Sequence, residues 1–290
     1  MENVPLNVLI LAAGLGTRLR PLTNDMPKPL VPVVDASILD LQAQKARTIG
    51  NIRLHANAHY LAEQVVEAGK KLGFEQVWVE PEILGTAGPL RRIYAEGYRG
   101  GLLVMNGDAY CNFDLKKFVS NVKQLSLKEN GPQVGLLAVD FPKVNTFRVN
   151  AEGRLAGIVG RFGSEDGAAA ATFSGVSWYS DEALSRIRDG EFDIREFWKQ
   201  EIAAGRAPYV DMTQLHATWI DMGSPEGLMS AVEARLKELG RGSDEAVVEP
   251  GVVLPADVSL KHSVIYAGAE IQAGETIENE IRGRGFKWKV

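Results

Sequence analysis

Leu6-Asn-Val-Leu-Ile-Leu-Ala-Ala-Gly-Leu-Gly-Thr-Arg-Leu-Arg-Pro-Leu-Thr23 is the stretch that decides the fold. Its first part, Leu6 to Ala13, is almost wholly apolar and stops at Gly14, which reads as a strand buried on both faces, as in a parallel sheet. A polar loop rich in Gly and Pro runs from Gly14 to about Pro32. Ser37 to Ile49 then carries Ile38, Leu41, Ala46 and Ile49 at near-helical spacing, with Ser37 in the N-cap position. The order is strand, long loop, helix.

Working outward, the alternation continues. Strands are expected at Ile52–Ala56, Gln76–Val79 and Gly101–Met105, with helices over Leu61–Leu72 and after Gly88. Strands separated by helices imply right-handed crossovers, so the fold class is α/β: a Rossmann-like, mainly parallel sheet flanked by helices. From about Gln133 the pattern turns to strand-like runs at Val134–Val139, Phe147–Val149, Leu155–Val159 and Phe173–Tyr179, which suggests an inserted or appended β portion contributing to a substrate pocket. Gly163 to Ala171 reads as a mobile loop. Helices near Asp181–Arg188 and Ile194–Ala204, a strand ending at Trp219-Ile220 and a helix over Pro225–Leu239 follow.

The tail keeps a different period. Ile265, Ile271 and Ile277 are six apart, as are Gly268 and Gly274, which is the pattern of a hexapeptide left-handed β-helix. Only a one- or two-coil stub fits, and it must stack on something. Residues 1–240 are therefore expected to form the catalytic domain and 247–290 a tail docked either on that domain or on another subunit, the latter giving a homo-oligomer.

Composition narrows the partners. The 290 residues carry a formal net charge of -5, which leaves no global positive field for DNA or RNA. No apolar run approaches the roughly 20 residues that span a bilayer, and the start lacks a basic segment leading into an apolar one. The lone Cys111 cannot form an intramolecular disulfide. The expectation is a cytoplasmic protein with no nucleic-acid or membrane partner.

The loop after the first strand carries chemistry. Gly14 and Gly16 let backbone N–H groups approach a phosphate chain, and Arg18 and Arg20 supply guanidinium forks for its oxygens. Lys28 lies between Pro27 and Pro29, which restrict the backbone that presents its ammonium. Two common phosphate motifs fail here: the P-loop spacing is absent, and Leu19 stands where a dinucleotide fingerprint needs its third glycine.

What the stretch Gly14 to Leu30 closely resembles is the signature of the sugar-phosphate nucleotidyltransferases, Gly-x-Gly-Thr-Arg-Leu-x-Pro-Leu-Thr followed by Pro-Lys-Pro-Leu. Leu84-Gly-Thr-Ala-Gly88, Asn106-Gly-Asp108, Phe173-Ser-Gly175 and Trp219-Ile-Asp-Met-Gly-Ser224 extend the resemblance, in the family's order, over about residues 6 to 235. It implies transfer of a nucleotidyl group from a nucleoside triphosphate to a sugar 1-phosphate with Mg²⁺. Leu11, Ala13, Gly14, Gly16, Thr17 and Arg18 would hold the triphosphate, and Lys28 the phosphates at the reacting centre. Glu80, Gly85 and Thr86 would line the base pocket. Asp108 and Asp221 would hold the metal, with Asn106, Arg161, Gly175 and Asp221 around the sugar phosphate.

One departure matters. Many family members have Glu-Lys-Pro at the end of the strand near Val159, where this chain has Gly160-Arg-Phe162. Arg161 is not geometrically equivalent to lysine. This region is similar to the branch that includes muramic acid phosphate uridylyltransferases and mannose-1-phosphate guanylyltransferase-like proteins. Two other readings stand beside the enzyme: a phosphocholine-type cytidylyltransferase, and a catalytically silent homologue that senses sugar nucleotides. Arg18, Lys28, Asp108 and Asp221 are all present, which opposes the silent reading. His55 and His59 are four apart without a helix to align them, and Cys111 reads as a buried small residue.

Overall fold

The opening apolar run forms strand β1 (Leu6–Leu11), in a computed structural model that describes residues 4–163, 167 and 169–290. It lacks period-two patterning because both faces are covered. Leu9 packs with Trp78, Leu90 and Tyr179, whereas Val8 and Ile10 pack with Leu39, Leu54 and Phe118. Two short strands, β2 (Pro32–Val33) and β3 (Ala36–Ser37), precede helix α1 (Ile38–Arg47). Ser37 caps α1 as expected, its hydroxyl accepting from the Asp40 N–H at 3.2 Å.

β4 (Ile52–Ala58), α2 (Ala62–Lys71), β5 (Gln76–Val79), α3 (Ala87–Ala95) and β6 (Leu102–Asn106) follow. β1 lies between β4 and β6, with β5 beside β4, and every pair is parallel. Leu11 stands opposite both Asn57 and Asn106, so the carboxyl ends of three strands open on one crevice.

Next come β7 (Ala109–Cys111), α4 (Leu115–Ser126), β8 (Val134–Val139), β9 (Phe147–Val149), β10 (Leu155–Ile158), β11 (Phe162–Gly163) and β12 (Ala169–Tyr179). The β portion expected as an insertion or appendage continues the same sheet. β12 runs antiparallel to β6 and β8 through its second half and to β9 through its first, giving one ten-stranded sheet. Pairing with β12 covers the edge that β6 would otherwise leave open. The loop expected over 163–171 is corrected in part. Residues 164–166 and 168 lie outside the described residues, but Ala169, Ala170 and Ala171 pair with Val149, Arg148 and Phe147. Alanine has little strand preference of its own, and the partner strand overrides it.

α5 (Asp181–Arg186), α6 (Ile194–Ala203), β13 (Tyr209–Asp211), β14 (Trp219–Asp221) and α7 (Pro225–Glu238) complete this part. β14 pairs antiparallel with β7 in a separate ribbon, setting Asp221 opposite Ala109. The tail comprises β15 (Val247–Val248), β16 (Ser259–Ile265), β17 (Thr276–Gly283) and β18 (Phe286–Lys289). β15, β16 and β17 are parallel, with Val247 opposite Val264 and Val264 opposite Ile281, and β18 returns antiparallel. The tail docks on its own chain: Val264, Tyr266 and Ile281 share a core with Val31, Met222 and Leu228. Tyr266 Oη donates to the Pro32 carbonyl at 2.8 Å. Among the described residues no helix is long and apolar enough to cross a membrane.

Candidate active site

A buried chain of hydrogen bonds ties the strand ends together. The Ala12 N–H donates to Asn57 Oδ1 at 2.8 Å, Asn57 Nδ2 donates to Glu80 Oε1 at 2.9 Å, and Glu80 Oε2 accepts from the Leu84 N–H at 3.1 Å. Glu80 thus spends its carboxylate on shaping the loop that runs into α3. Asn57 was missed by sequence reasoning; a lone amide closing a buried strand was the available signal.

Beyond β1 the chain turns at Gly16, whose φ of 63° is the left-handed region. A Cβ there would sit 3.0 Å from the Lys28 Cβ, so the glycine lets the Lys28 segment close over the turn. The Thr23 hydroxyl donates to the Gly16 carbonyl at 2.8 Å. Lys28 is buried in a short turn between its prolines, and its Nζ donates to Asp108 Oδ2 at 3.0 Å.

The two aspartates arrive from distant sequence on neighbouring strands. Asp108 follows β6, and its carbonyl accepts from the Met222 N–H at 3.0 Å, which extends the β7–β14 ladder to Asp221. Asp221 Oδ1 accepts from the Gly223 N–H at 2.8 Å, and Arg18 Nη1 lies 3.5 Å from Oδ2. Each carboxylate is therefore faced by one cation. The Asp108 and Asp221 side chains remain 43% and 49% exposed, so both are open to a ligand.

Leu11, Ala13, Gly14, Lys28 and Asp108 line a cleft of about 220 Å³. Gly16, Thr17, Arg18 and Asp221 do not line it; Thr17 and Arg18 are exposed in the turn beside it. Ile83, Gly85, Thr86 and Asn106 line this cleft and also a second cavity of about 670 Å³, so the two are contiguous. Gly175, at φ +85°, lies at that junction, and a Cβ on it would fall 2.7 Å from the Asn106 side chain. Asn106 and Gly175, both expected around the sugar phosphate, are thus in direct contact.

Arg161 closes the turn between β10 and β11, its N–H donating to the Ile158 carbonyl at 2.9 Å. It lines the larger cavity together with Asp193 and Arg195. Arg195 grips both Asp193 oxygens, from Nε to Oδ1 at 2.7 Å and from Nη2 to Oδ2 at 2.6 Å. Hydrogen bonding from Arg195 holds the Asp193 carboxyl below its ordinary range, with the Arg161 charge adding to the effect. The Asp193–Arg195 pair was not singled out from sequence.

His55 and His59 do not meet over a metal. His55 is buried beside Asn7 and Trp78, where burial and the Arg53 charge push its pKa down to about 4. His59 Nδ1 lies 2.8 Å from the Glu80 carbonyl. Burial pushes the Cys111 thiol up to about 11, which makes it a poor nucleophile. Among the described residues no group of three or more His, Cys, Asp or Glu is placed to hold a metal unaided.

A crevice at the carboxyl ends of parallel strands, a glycine turn and two charge-paired aspartates define a nucleotide-binding α/β protein. Residues 7–143 match the nucleotidyl transferase family model. The chain is 27% identical over 258 residues, 82% of its length, to the N-acetylmuramate alpha-1-phosphate uridylyltransferase of Caulobacter vibrioides, whose whole length is covered. It is 29% identical to the mannose-1-phosphate guanylyltransferase catalytic subunit beta of Drosophila melanogaster, over 84% of this chain and 67% of that protein. HddC from Yersinia pseudotuberculosis, crystallised with GMP-PN, shares the fold with a TM-score of 0.62 at 24% identity, over 79% of this chain and 99% of that one. The chain is thus similar to nucleotidyl transferases over residues 7–143 and, over most of its length, to relatives named as nucleotidyltransferases of sugar 1-phosphates.

Proposed function

We propose that the protein transfers a nucleotidyl group from a nucleoside triphosphate to a sugar 1-phosphate, forming an NDP-sugar and pyrophosphate. The observation that carries this reading is the crosswise pairing of Lys28 with Asp108 and Arg18 with Asp221 beside the Gly14 turn. A sugar-phosphate oxygen attacks the α-phosphorus while the bond from that phosphorus to the β-phosphate oxygen breaks. Both reactants are anions, so charge neutralisation and alignment dominate the barrier. No side-chain base is needed, because the attacking oxygen is already ionised.

In this reading the backbone of Leu11, Ala13, Gly14, Gly16 and Thr17, together with Arg18, holds the triphosphate, and Lys28 serves the phosphates at the reacting centre. Glu80 acts through the loop it shapes, with Gly85 and Thr86 presenting backbone groups to the base. Asn106, Arg161, Gly175 and Asp221 serve the sugar phosphate. A divalent metal fits the donor set: Asp108 and Asp221 supply two half-exposed carboxylates on adjacent strands, leaving further positions for phosphate oxygens and water. Bound there, Mg²⁺ supplies positive charge against the phosphates.

The tail, 247–290, is read as a short hexapeptide-type β-helix coil stacked on a catalytic unit of 1–240, supported by its parallel strands and buried Ile265 and Ile277. A cytoplasmic setting belongs to the same reading. The test is a pyrophosphate-release screen of the common triphosphates against a panel of sugar 1-phosphates. Turnover with at least one pair, dependent on a divalent cation, is expected, and its absence across the whole matrix rejects the assignment.

A further inference from the structure

The segment that presents Lys28 has little regular structure of its own. Between Gly14 and Val31 the chain makes only short helical turns, at Thr17–Leu19, Leu22–Asn24 and Lys28–Leu30. Such a segment keeps its shape through what lies against it. On the α2 side, the Tyr60 hydroxyl donates to the Asn24 carbonyl at 2.7 Å and Gln64 Nε2 to the Asp25 carbonyl at 3.0 Å, both at the surface. On the other side stands the tail.

Tyr266, the residue after β16, is buried, and its N–H donates to the Arg282 carbonyl at 2.8 Å, which fixes its backbone to β17. Its ring lines a crevice of about 180 Å³ together with Pro21, Leu22 and Met26, which precede Lys28. Its hydroxyl bonds the carbonyl of Pro32, which follows Lys28. Burial pushes the Tyr266 pKa above the ordinary tyrosine range, so the hydroxyl remains a neutral donor. One tail side chain thus meets the segment on both sides of the lysine.

Between that bond and Lys28 the chain is stiff. Pro29 and Pro32 each fix a backbone angle, and the Leu30 and Val31 N–H groups donate to the Pro27 and Lys28 carbonyls at 2.8 and 3.1 Å. The Val31 carbonyl accepts from the Ile38 N–H at 3.2 Å. A shift at Pro32 is therefore passed back to Lys28, whose side chain, 9% exposed, has little room to compensate by turning.

We propose that Tyr266 is a positioning residue for nucleotidyl transfer, setting the Lys28 ammonium beside Asp108 by anchoring Pro32. This rests on the nucleotidyl-transfer reading, and Tyr266 itself touches no reacting group. The tail then acts on the reaction through this one residue. A small displacement of an aligned cation costs the transition state more than the ground state, so the loss falls on kcat.

Tyr266→Phe removes the hydroxyl and keeps the ring. On the full chain, with the triphosphate and sugar 1-phosphate that release pyrophosphate fastest, kcat should fall about tenfold while both KM values stay within about twofold. The Leu30 and Val31 amides should exchange with deuterium about tenfold faster. His262→Phe breaks a different tail contact, to Glu233 on α7, and should leave kcat and both amides unchanged, its effect confined to stability. An unmoved kcat in Tyr266→Phe, or a fall without faster exchange at Leu30 and Val31, overturns the positioning role and leaves transfer standing. So does an equal loss of kcat in His262→Phe, since any weakening of the tail would then suffice. No pyrophosphate release from the unaltered chain with any substrate pair removes transfer itself, and this role with it.

Discussion

The two ends of the cleft are built by different means. Around Gly14, Lys28 and Asp108 the surface is backbone and charge, held by short contacts such as the 3.0 Å Lys28–Asp108 pair. Past Asn106 it becomes a wall of rings from β9, β12 and α6. In the proposed function the first end serves the triphosphate, whose phosphates are common to every nucleotide. In the proposed function the second end receives the sugar 1-phosphate, where packing against the rings depends on the acceptor's shape.

Several substitutions would break or sharpen this contrast. The largest effect is expected at the charged end, where Asp108→Asn should cut pyrophosphate release by about two to three orders of magnitude, comparable to removing a transition-state donor, with unchanged circular dichroism. Near-normal turnover would take Asp108 out of the machinery. Arg18→Ala should weaken triphosphate binding by roughly tenfold in calorimetry without altering the preference among sugars. A change in that preference would mean that the two ends are not separable.

Gly175→Ala tests the junction. The new Cβ would press on Asn106 at a φ that costs an L-residue about 1–2 kcal/mol, so the melting temperature should fall by a few degrees and the sugar-phosphate KM should rise. An unaltered KM would place Asn106 outside acceptor binding.

The smallest effect belongs to His262, in the tail and far from the chemistry in sequence. His262 Nδ1 lies 2.6 Å from Asn279 Oδ1 and Nε2 lies 2.7 Å from Glu233 Oε1. Two oxygen acceptors facing both nitrogens suit the protonated ring, since a neutral imidazole has one donor. Burial opposes the charge, but bonds to Asn279 and Glu233 and the Glu233 and Asp244 charges outweigh it and raise the pKa above 6.5. Its contribution is therefore complete below about pH 6.5 and fades as pH rises through the folded-state value. Urea midpoints should drop slightly from pH 6 to pH 8.5, and His262→Phe should abolish that part of the slope.

Legibility followed the range of the interactions. Ser37 capping α1, the strand at Gln76–Val79 and the turn at Gly14 and Gly16 rest on neighbours in sequence, and each was readable there. β7 and β13 were not, because their few residues carry no pattern of their own and are set by pairing with β14 and β8. Asp108 and Asp221 were nameable from a family resemblance, but nothing local in either segment says that they become neighbours. Ile271 shows the reverse failure: it fits the sixfold period yet is only half-buried, and the next buried apolar residue after Ile277 is Ile281.

By itself the sequence determined the alternation of strand and helix, the glycine turn and the cations beside it, since backbone conformation and burial period are set within a few residues. Tertiary structure alone decided that β12 joins the sheet beside β6, that Asn57 and Glu80 shape the loop before α3, and that Arg195 and Phe192 line the larger cavity. Those outcomes depend on which distant surfaces must be covered once the first strands have paired, a quantity that no single segment carries.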